Sequence, residues 1–89
     1  MGGIGAGLAA REGAIEIMSV FPGDPAERAG LRPGDRIARI DGEDTAGMSL
    51  SDALQRLRGE VGTSVGVTVR HRGESDTLDV VIPRATIAH

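Results

Sequence analysis

Three glycines near the start of the chain, Gly3, Gly5 and Gly7, are spaced so that the segment could form a ligand-binding loop. Glycine adopts main-chain dihedral angles that other residues avoid, and it lets a ligand approach the backbone closely. Successive N–H groups in such a segment can converge into a nest that binds an anion. We therefore predict that residues 3 to 7, the glycine loop, bind an anionic group, for which a terminal carboxylate is the natural ligand.

The same glycines admit two other interpretations. A dinucleotide-binding loop needs a different glycine spacing, a strand before it and a helix after it. Here no strand-like segment precedes Gly3 and a hairpin pattern follows, so we reject that interpretation. An ordinary flexible N-terminus stays open on the loop sequence alone, and the agreement of the elements described below argues against it.

Residues suited to catalysis or metal binding are sparse. The chain has no Cys and no Lys, its two histidines are His71 and His89, and it has no Gly-framed nucleophile elbow. We expect no catalytic site, and we expect His71, between two arginines near a hairpin end, to be a surface residue. The acidic residues Asp41, Glu43 and Asp44 lack the ligand spacing of a calcium loop and suit a turn. No metal and no cofactor are expected.

Composition limits the remaining function classes. Eighty-nine residues suit one domain, and Phe21 is the only aromatic residue, so the core must be aliphatic. All ten basic residues are Arg against thirteen Asp and Glu, and the net charge of −3 offers no long-range attraction to nucleic acid. Arg70 and Arg72 form the nearest approach to a basic cluster, which we interpret as a solvated hairpin end. No run approaches the roughly 20 apolar residues of a membrane span, and no signal-peptide pattern is present.

The segment from residue 22 to residue 44 predicts a short helix that leads into a strand. Asp24 can act as N-cap, Pro25 suits the first helical position, and Glu27 completes a capping box. Gly30 then ends the helix. A strand over residues 36 to 40 stops at the turn formed by Asp41 and Gly42.

The rest of the chain predicts a hairpin, a second helix and a strand pair. Residues 3–10 and 14–21 form the hairpin, and the pair Glu12 and Gly13 separates its strands. The second strand should be central because its apolar positions are nearly continuous. Ser49 caps a helix that ends at Gly59, with an apolar stripe at i, i+3, i+4 and i+7. Apolar residues at alternate positions then predict strands at 65–69 and 78–82. We expect residues 84–89 to form a frayed tail. The stripe consists of Leu50, Ala53, Leu54 and Leu57.

Two parts of this sequence resemble a known family. The order GDPAERAGLRPGD into RIARIDG resembles the PDZ domain. The GIGA loop, the helix SLSDALQRLRG and the following GTSVGVTV resemble the bacterial carboxy-terminal processing, or tail-specific, proteases. The resemblance implies one α+β domain over residues 1–89. Its fold would be a small, partly open antiparallel β-barrel or sandwich of five to six strands with two helices, in the circularly permuted bacterial arrangement, where residues 78–82 supply the strand that opens animal PDZ domains.

The resemblance also implies a peptide-binding site. The amides of Ile4, Gly5 and Ala6 would hold a peptide carboxylate, Ala6 to Leu8 would pair with the peptide backbone, and Ile4 would close the terminal pocket. The second helix would form the opposite wall. The full set of expected peptide-binding residues is Gly3, Ile4, Gly5, Ala6, Gly7, Leu8, Leu50, Ala53, Leu54 and Leu57.

Two residues depart from the usual pattern of the family. Ala6 stands where many PDZ loops have a bulky apolar residue, which puts the depth of the terminal pocket in question. Leu50 stands where a His, when present, binds a peptide hydroxyl. With Leu there, we expect a preference for an apolar side chain two residues before the peptide terminus.

Three functions remain open from the sequence. The first is a non-catalytic module that captures C-terminal or unfolded peptides for a serine protease domain, whose Ser and Lys dyad lies outside this sequence. The second is a regulatory gate or dimer contact within the same protease. The third is a PDZ domain of another envelope protease, of the high-temperature-requirement or site-two type. A periplasmic or envelope location follows from the resemblance alone.

Overall fold

The computed structural model describes residues 2–87, which form six strands and two helices. This composition confirms the predicted α+β class with five to six strands. In chain order the elements are β1 (Ala6–Arg11), β2 (Ala14–Val20), α1 (Pro25–Arg28), β3 (Arg36–Ile40), β4 (Glu43–Asp44), α2 (Leu50–Leu57), β5 (Ser64–Arg70) and β6 (Leu78–Pro83).

The strands form one antiparallel sheet in the order β1-β2-β3-β5-β6, with β4 paired to β3. β2 has neighbours on both sides, as the sequence predicted, but only its first half is well covered. Ile15, Glu16 and Ile17 are buried, whereas Met18 and Ser19 are exposed. β1 lies at an edge of the sheet, and its pairing with β2 is irregular between Gly7 and Leu8.

Two-residue turns connect β1 to β2 and β3 to β4. Glu12 and Gly13 have φ angles of 51° and 76°, and Asp41 and Gly42 have φ angles of 50° and 80°. Positive φ at both central residues matches the right-handed twist of paired strands, which is why such turns contain Gly with Asn, Asp or another tolerant residue. The turns predicted at these two positions are confirmed.

The three acidic residues near the second turn have local partners. Asp41 Oδ1 accepts a 2.8 Å hydrogen bond from the Gly66 amide, and Asp44 Oδ1 accepts one of 2.8 Å from the Ala46 amide. Glu43 forms a 2.7 Å ion pair with Arg56. These carboxylates therefore stabilise turns and the approach of α2.

The two helices begin where the sequence predicted, but their caps differ. Ser49 Oγ accepts a 3.0 Å hydrogen bond from the Asp52 amide at the start of α2, which confirms that cap. At α1 the predicted capping box is wrong in detail. Asp24 is the N-cap residue without the side-chain cap bond, and Glu27 Oε1 instead accepts from the Gly23 amide at 2.8 Å. Neither helix is long and apolar enough, within residues 2–87, to cross a membrane.

The core is aliphatic, as the composition required. Its largest fully buried apolar side chains come from β2, β3, β5, β6 and the segment after α1, and are Ile15, Ile17, Leu31, Ile37, Ile40, Val65, Val67, Val69 and Ile82. Phe21 lies outside this set with 36% of its surface exposed. Side chains of β3 and β5 therefore hold the sheet together without aromatic packing.

The segment after β6 is bound to the domain instead of frayed, so that prediction is wrong for residues 84–87. The Arg84 amide donates to Thr63 O at 2.8 Å, and Gly3 and Ala85 exchange hydrogen bonds of 2.9 and 3.0 Å. Gly2 pairs in the same way with Gly59. These bridges bring the two ends of the described chain together and partly close the sheet into a barrel; Ala88 and His89 lie outside the described residues.

His71 is also placed differently from the expectation. Only 15% of its side chain is exposed, and its Nδ1 lies 2.7 Å from Asp35 Oδ1. Asp35 is itself buried and accepts a 2.9 Å hydrogen bond from the Arg32 amide through Oδ2. The contact between His71 and Asp35 therefore links the end of β5 to the turn before β3.

Candidate functional site

A cleft of about 260 Å³ opens between the glycine loop, the first half of β1 and the last turns of α2. Seven of the ten predicted site residues line it, which brings the loop and the helix stripe together as expected. Those seven are Gly3, Ile4, Gly5, Ala6, Leu8, Leu54 and Leu57.

Three of the predicted residues do not line the cleft. A Cβ on Gly7 would lie 2.6 Å from Ser19 Oγ, so Gly7 makes room for β2. Ala53 is fully buried in the core, and Leu50 is half-buried against the core, one helical turn before Leu54. Within the stripe, Leu54 and Leu57 therefore reach the cleft, whereas Leu50 and Ala53 pack α2 against the core.

Four lining residues were not predicted, namely Gly2, Phe21, Arg58 and Ile87. Ile87 comes from the segment that the sequence assigned to a frayed tail. A Cβ on Gly3 would lie 3.3 Å from Ile87 Cγ1, so this segment packs directly against the glycine loop. Phe21, as the lone aromatic, was the one residue of the four with a visible signal in the sequence.

The carbonyl groups of the glycine loop are held by three different parts of the chain. Gly3 O accepts from the Ala85 amide at 3.0 Å, Ile4 O from the Ala26 amide at 2.8 Å, and Gly5 O from the Phe21 amide at 3.0 Å. The oxygens of the loop are thus turned toward the scaffold that surrounds it.

This arrangement fixes where the next three N–H groups point. In a planar trans peptide the C=O of one residue and the N–H of the next point in opposite directions, and the described chain has no cis peptide. The N–H groups of Ile4, Gly5 and Ala6 therefore point away from Ala85, Ala26 and Phe21. A row of such amides presents partial positive charge, as an anion-binding nest does.

Gly5 is the residue of the loop that must be glycine. Its φ angle is +79°, a conformation that costs other residues about 1 kcal/mol or more. A Cβ there would also lie 2.4 Å from Asp24 Cβ and 2.6 Å from Asp24 Oδ2. The loop and the residue before α1 are consequently packed without space between them.

Two arginines set the charge at the α2 end of the cleft. Arg58, the C-cap of α2, lines the cleft with an exposed side chain. Arg84 donates through Nε to Leu57 O at 3.1 Å and through Nη2 to Arg56 O at 3.0 Å. Its guanidinium thereby offsets the partial negative charge of the helix C-terminus, which lies beside the glycine loop through the Gly2 and Gly59 bridge.

The backbone beside the cleft allows strand addition. β1 is an edge strand, and an extended peptide can hydrogen-bond to such an edge while its alternate side chains enter pockets. Leu8 on β1 and Leu54 on α2 are both half-buried and line the two sides of the cleft. His71 and Asp35, the pair most like a catalytic dyad, are not among the residues that line it.

Comparison with known proteins agrees with this geometry. The family model described as PDZ domain matches residues 16–71. The carboxy-terminal processing protease CtpB of Bacillus subtilis (strain 168) is 42% identical over 85 residues, which are 96% of this chain and 18% of that protein. The chain thus spans about a fifth of the length of this relative.

Solved structures give the same result. The PDZ domain of the carboxy-terminal protease from Vibrio cholerae, crystallised in complex with a peptide, has a TM-score of 0.88 and 31% identity, covering 100% of this chain and 98% of that one. The photosystem II D1 C-terminal processing protease has a TM-score of 0.91 and 32% identity, covering 98% of this chain and 24% of that one. The chain therefore belongs to the PDZ domain family and resembles the PDZ domains of carboxy-terminal processing proteases.

Proposed function

We propose that this PDZ domain captures C-terminal or unfolded polypeptide segments by strand addition to β1, for a serine protease domain outside this sequence. The observation that carries the proposal is the fixed glycine loop. The carbonyl groups of Gly3, Ile4 and Gly5 are hydrogen-bonded to the scaffold. The N–H groups of Ile4, Gly5 and Ala6 therefore already point away from it and can bind a ligand without rearrangement of the loop. Such preorganisation lowers the cost of binding.

Each part of the cleft has a role in this proposal. The terminal carboxylate of the peptide sits at the three loop amides, and the exposed Arg58 adds positive charge nearby. The terminal side chain enters the pocket lined by Ile4, Leu57 and Ile87. Because Ile87 occupies part of that pocket, we expect small to medium apolar side chains there.

Farther along the peptide, contacts are made with the walls. Backbone pairing runs along Ala6 to Leu8, and Leu54 covers the peptide from the helix side. Leu50 lies one turn beyond Leu54, so it meets the peptide only where the ligand extends past the cleft. An apolar side chain two residues before the terminus suits that position.

The parent protein is part of the proposal as well. Its relatives are processing proteases of which this chain spans about a fifth, and we propose a Ser and Lys dyad in a separate domain and a cell-envelope location. The peptide groove then acts as a recruiting site, while cleavage occurs elsewhere in the parent.

A titration monitored by ¹⁵N NMR tests where the peptide binds. The ligand is a hexapeptide with a free carboxylate and apolar residues at its last and third-last positions. We expect amide shifts at Ile4 to Leu8 and at Leu54, and none along β6, the opposite edge of the sheet. Shifts confined to β6, or none at millimolar peptide, would contradict the proposal.

A second candidate function is a gate within the parent protease. The observation that favours it is the pair of hydrogen bonds between Gly3 and Ala85, which joins the glycine loop to the segment after β6. Ligand binding at the loop would then be transmitted to the segment after β6 through these hydrogen bonds. Deleting residues 1–89 from the parent distinguishes the two functions: a gate predicts higher basal proteolysis, and a recruiting module predicts lost substrate capture.

A further inference from the structure

A second charged site lies at the other end of the β1–β2 hairpin. Three arginines from different parts of the chain surround Glu16 on β2: Arg11 at the end of β1, Arg36 at the start of β3 and Arg72 after β5. We call them the arginine cluster. Arg11 is three residues along β1 from Leu8, which lines the cleft, so the cluster is roughly 10 Å from the cleft at 3.3 Å per residue.

The arginines contact Glu16 only loosely. The nitrogen to oxygen distances are 3.8 Å from Arg11, 3.9 Å from Arg36 and 3.8 Å from Arg72, longer than the roughly 2.7–2.9 Å of a charge-assisted hydrogen bond. Among residues 2–87, the side-chain hydrogen bond of the cluster is the long one from Arg36 to Glu12, at 3.4 Å. Most of the guanidinium N–H groups are thus available to another acceptor.

The charges and the shape of this region fit one further anionic group. Side-chain exposure is 58% for Arg11, 46% for Arg36 and 75% for Arg72, whereas that of Glu16 is 7%. Three guanidinium groups against the carboxylates of Glu16 and Glu12 leave one positive charge in excess, and the charges of Arg70 and Glu74, which also line this region, cancel each other. Two adjoining clefts, of about 270 and 550 Å³, share Glu16, Arg36 and Arg72 in their walls.

Arg72 lies close to Gly34 on one side, and the rest of its side chain is exposed. A Cβ on Gly34 would lie 2.9 Å from Arg72 Nε, so the guanidinium rests against the backbone of the turn before β3. Arg36 pairs across the sheet with Glu16 on one side and with Arg70 on the other. The planar guanidinium group can form paired hydrogen bonds to a carboxylate.

We propose that the arginine cluster is a second binding site, which takes an acidic side chain of a partner polypeptide. A surplus of one charge is neutralised by a single carboxylate, whereas an anionic membrane or a nucleic acid is bound by many basic residues at once. The whole chain carries a net charge of −3, which opposes those polyanions further. The site is independent of the peptide groove, since none of its residues lines that cleft.

The test uses this chain and a probe that cannot occupy the groove through its terminus. The probe is a five-residue peptide of alternating glycine and glutamate, acetylated at its N-terminus and amidated at its C-terminus. Side-chain Nε–H NMR signals of Arg11, Arg36 and Arg72 report binding. We expect saturable shifts at millimolar peptide, which weaken when NaCl is raised from 50 to 200 mM, and no shifts with the glutamine version of the peptide.

Three variants decide the assignment. The double variant R11Q/R72Q should bind the acidic peptide at least tenfold more weakly, and R28Q, which removes an exposed arginine on α1, should bind it normally. E16Q should bind it at least threefold more tightly, because the internal competitor for the arginines is lost. A gain of affinity cannot arise from misfolding, so E16Q keeps the test decisive even where a loss is ambiguous.

Other ligands provide the opposing outcomes. Inorganic phosphate and vesicles of phosphatidylserine are titrated under the same conditions. The proposal is overturned if either of them saturates the arginine signals while the acidic peptide shifts none. It is equally overturned if R11Q/R72Q binds the peptide as the unmodified chain does.

Discussion

The amide of Ala26, the second residue of α1, donates a 2.8 Å hydrogen bond to the carbonyl oxygen of Ile4 in the glycine loop. The first N–H groups of a helix have no partner within the helix, and here one of them fixes the loop. The short helix that gives the sequence its clearest pattern is therefore also a support of the candidate carboxylate site.

Replacing Gly5 should damage both stability and binding. In Gly5→Ala, the positive φ and the 2.4 Å approach to Asp24 act together, and we expect a loss above about 2 kcal/mol in the free energy of unfolding. Gly13→Ala is the matched control, since Gly13 has a φ of 76° with open space around its Cβ position. It should cost about 1 kcal/mol. Urea denaturation measures the loss of stability in both variants. Equal losses would show that the loop is not tightly packed against Asp24.

The two leucines of α2 that reach the cleft should separate binding from folding. Leu57 is 3% exposed, so Leu57→Ala should cost about 2–5 kcal/mol of stability through the cavity it leaves. Leu54 is half-buried, and Leu54→Ala should cost about 1 kcal/mol while weakening peptide binding at least fivefold. Thermal unfolding and a peptide titration of each variant provide the comparison. Normal peptide affinity in Leu54→Ala would show that α2 does not form a wall of the peptide groove.

Arg84 should stabilise the domain although it follows the last strand. Its guanidinium donates to Leu57 O, Arg56 O, Ser64 O and Thr63 Oγ1. Because these bonds are partly exposed, we expect Arg84→Met to cost about 2 kcal/mol in total. Arg28→Met, on the exposed side of α1, should change the stability by less than about 0.5 kcal/mol. If the two variants unfold at the same urea concentration, the hydrogen bonds of the Arg84 side chain contribute nothing to the stability.

Local patterns in the sequence were enough to predict the two helices and the five longer strands, but not the two-residue strand β4 or the contacts between distant segments. The turn at Glu12 and Gly13 and the cap at Ser49 depend on neighbouring residues, so they could be predicted. The partner of His71 is Asp35, 36 residues away, and nothing local indicates that pair. Ile87 likewise reaches the cleft only because Ala85 pairs with Gly3.

The candidate site shows the same division. A helical stripe predicts which side chains face inward, but it cannot separate those that pack in the core from those that line a cleft. Ala53 and Leu54 are adjacent in the sequence and have these two different fates. The glycine loop was recognised by its composition, whereas the direction of its amides required the three carbonyl partners.

The central claim is that the amides of Ile4, Gly5 and Ala6 bind a peptide carboxylate. Isothermal titration of one hexapeptide, once with a free C-terminus and once amidated, tests it most directly. We predict that the free acid binds at least tenfold more tightly, a difference of about 1.4 kcal/mol. Equal affinity of the two peptides would contradict the claim, because the carboxylate would then contribute nothing to binding.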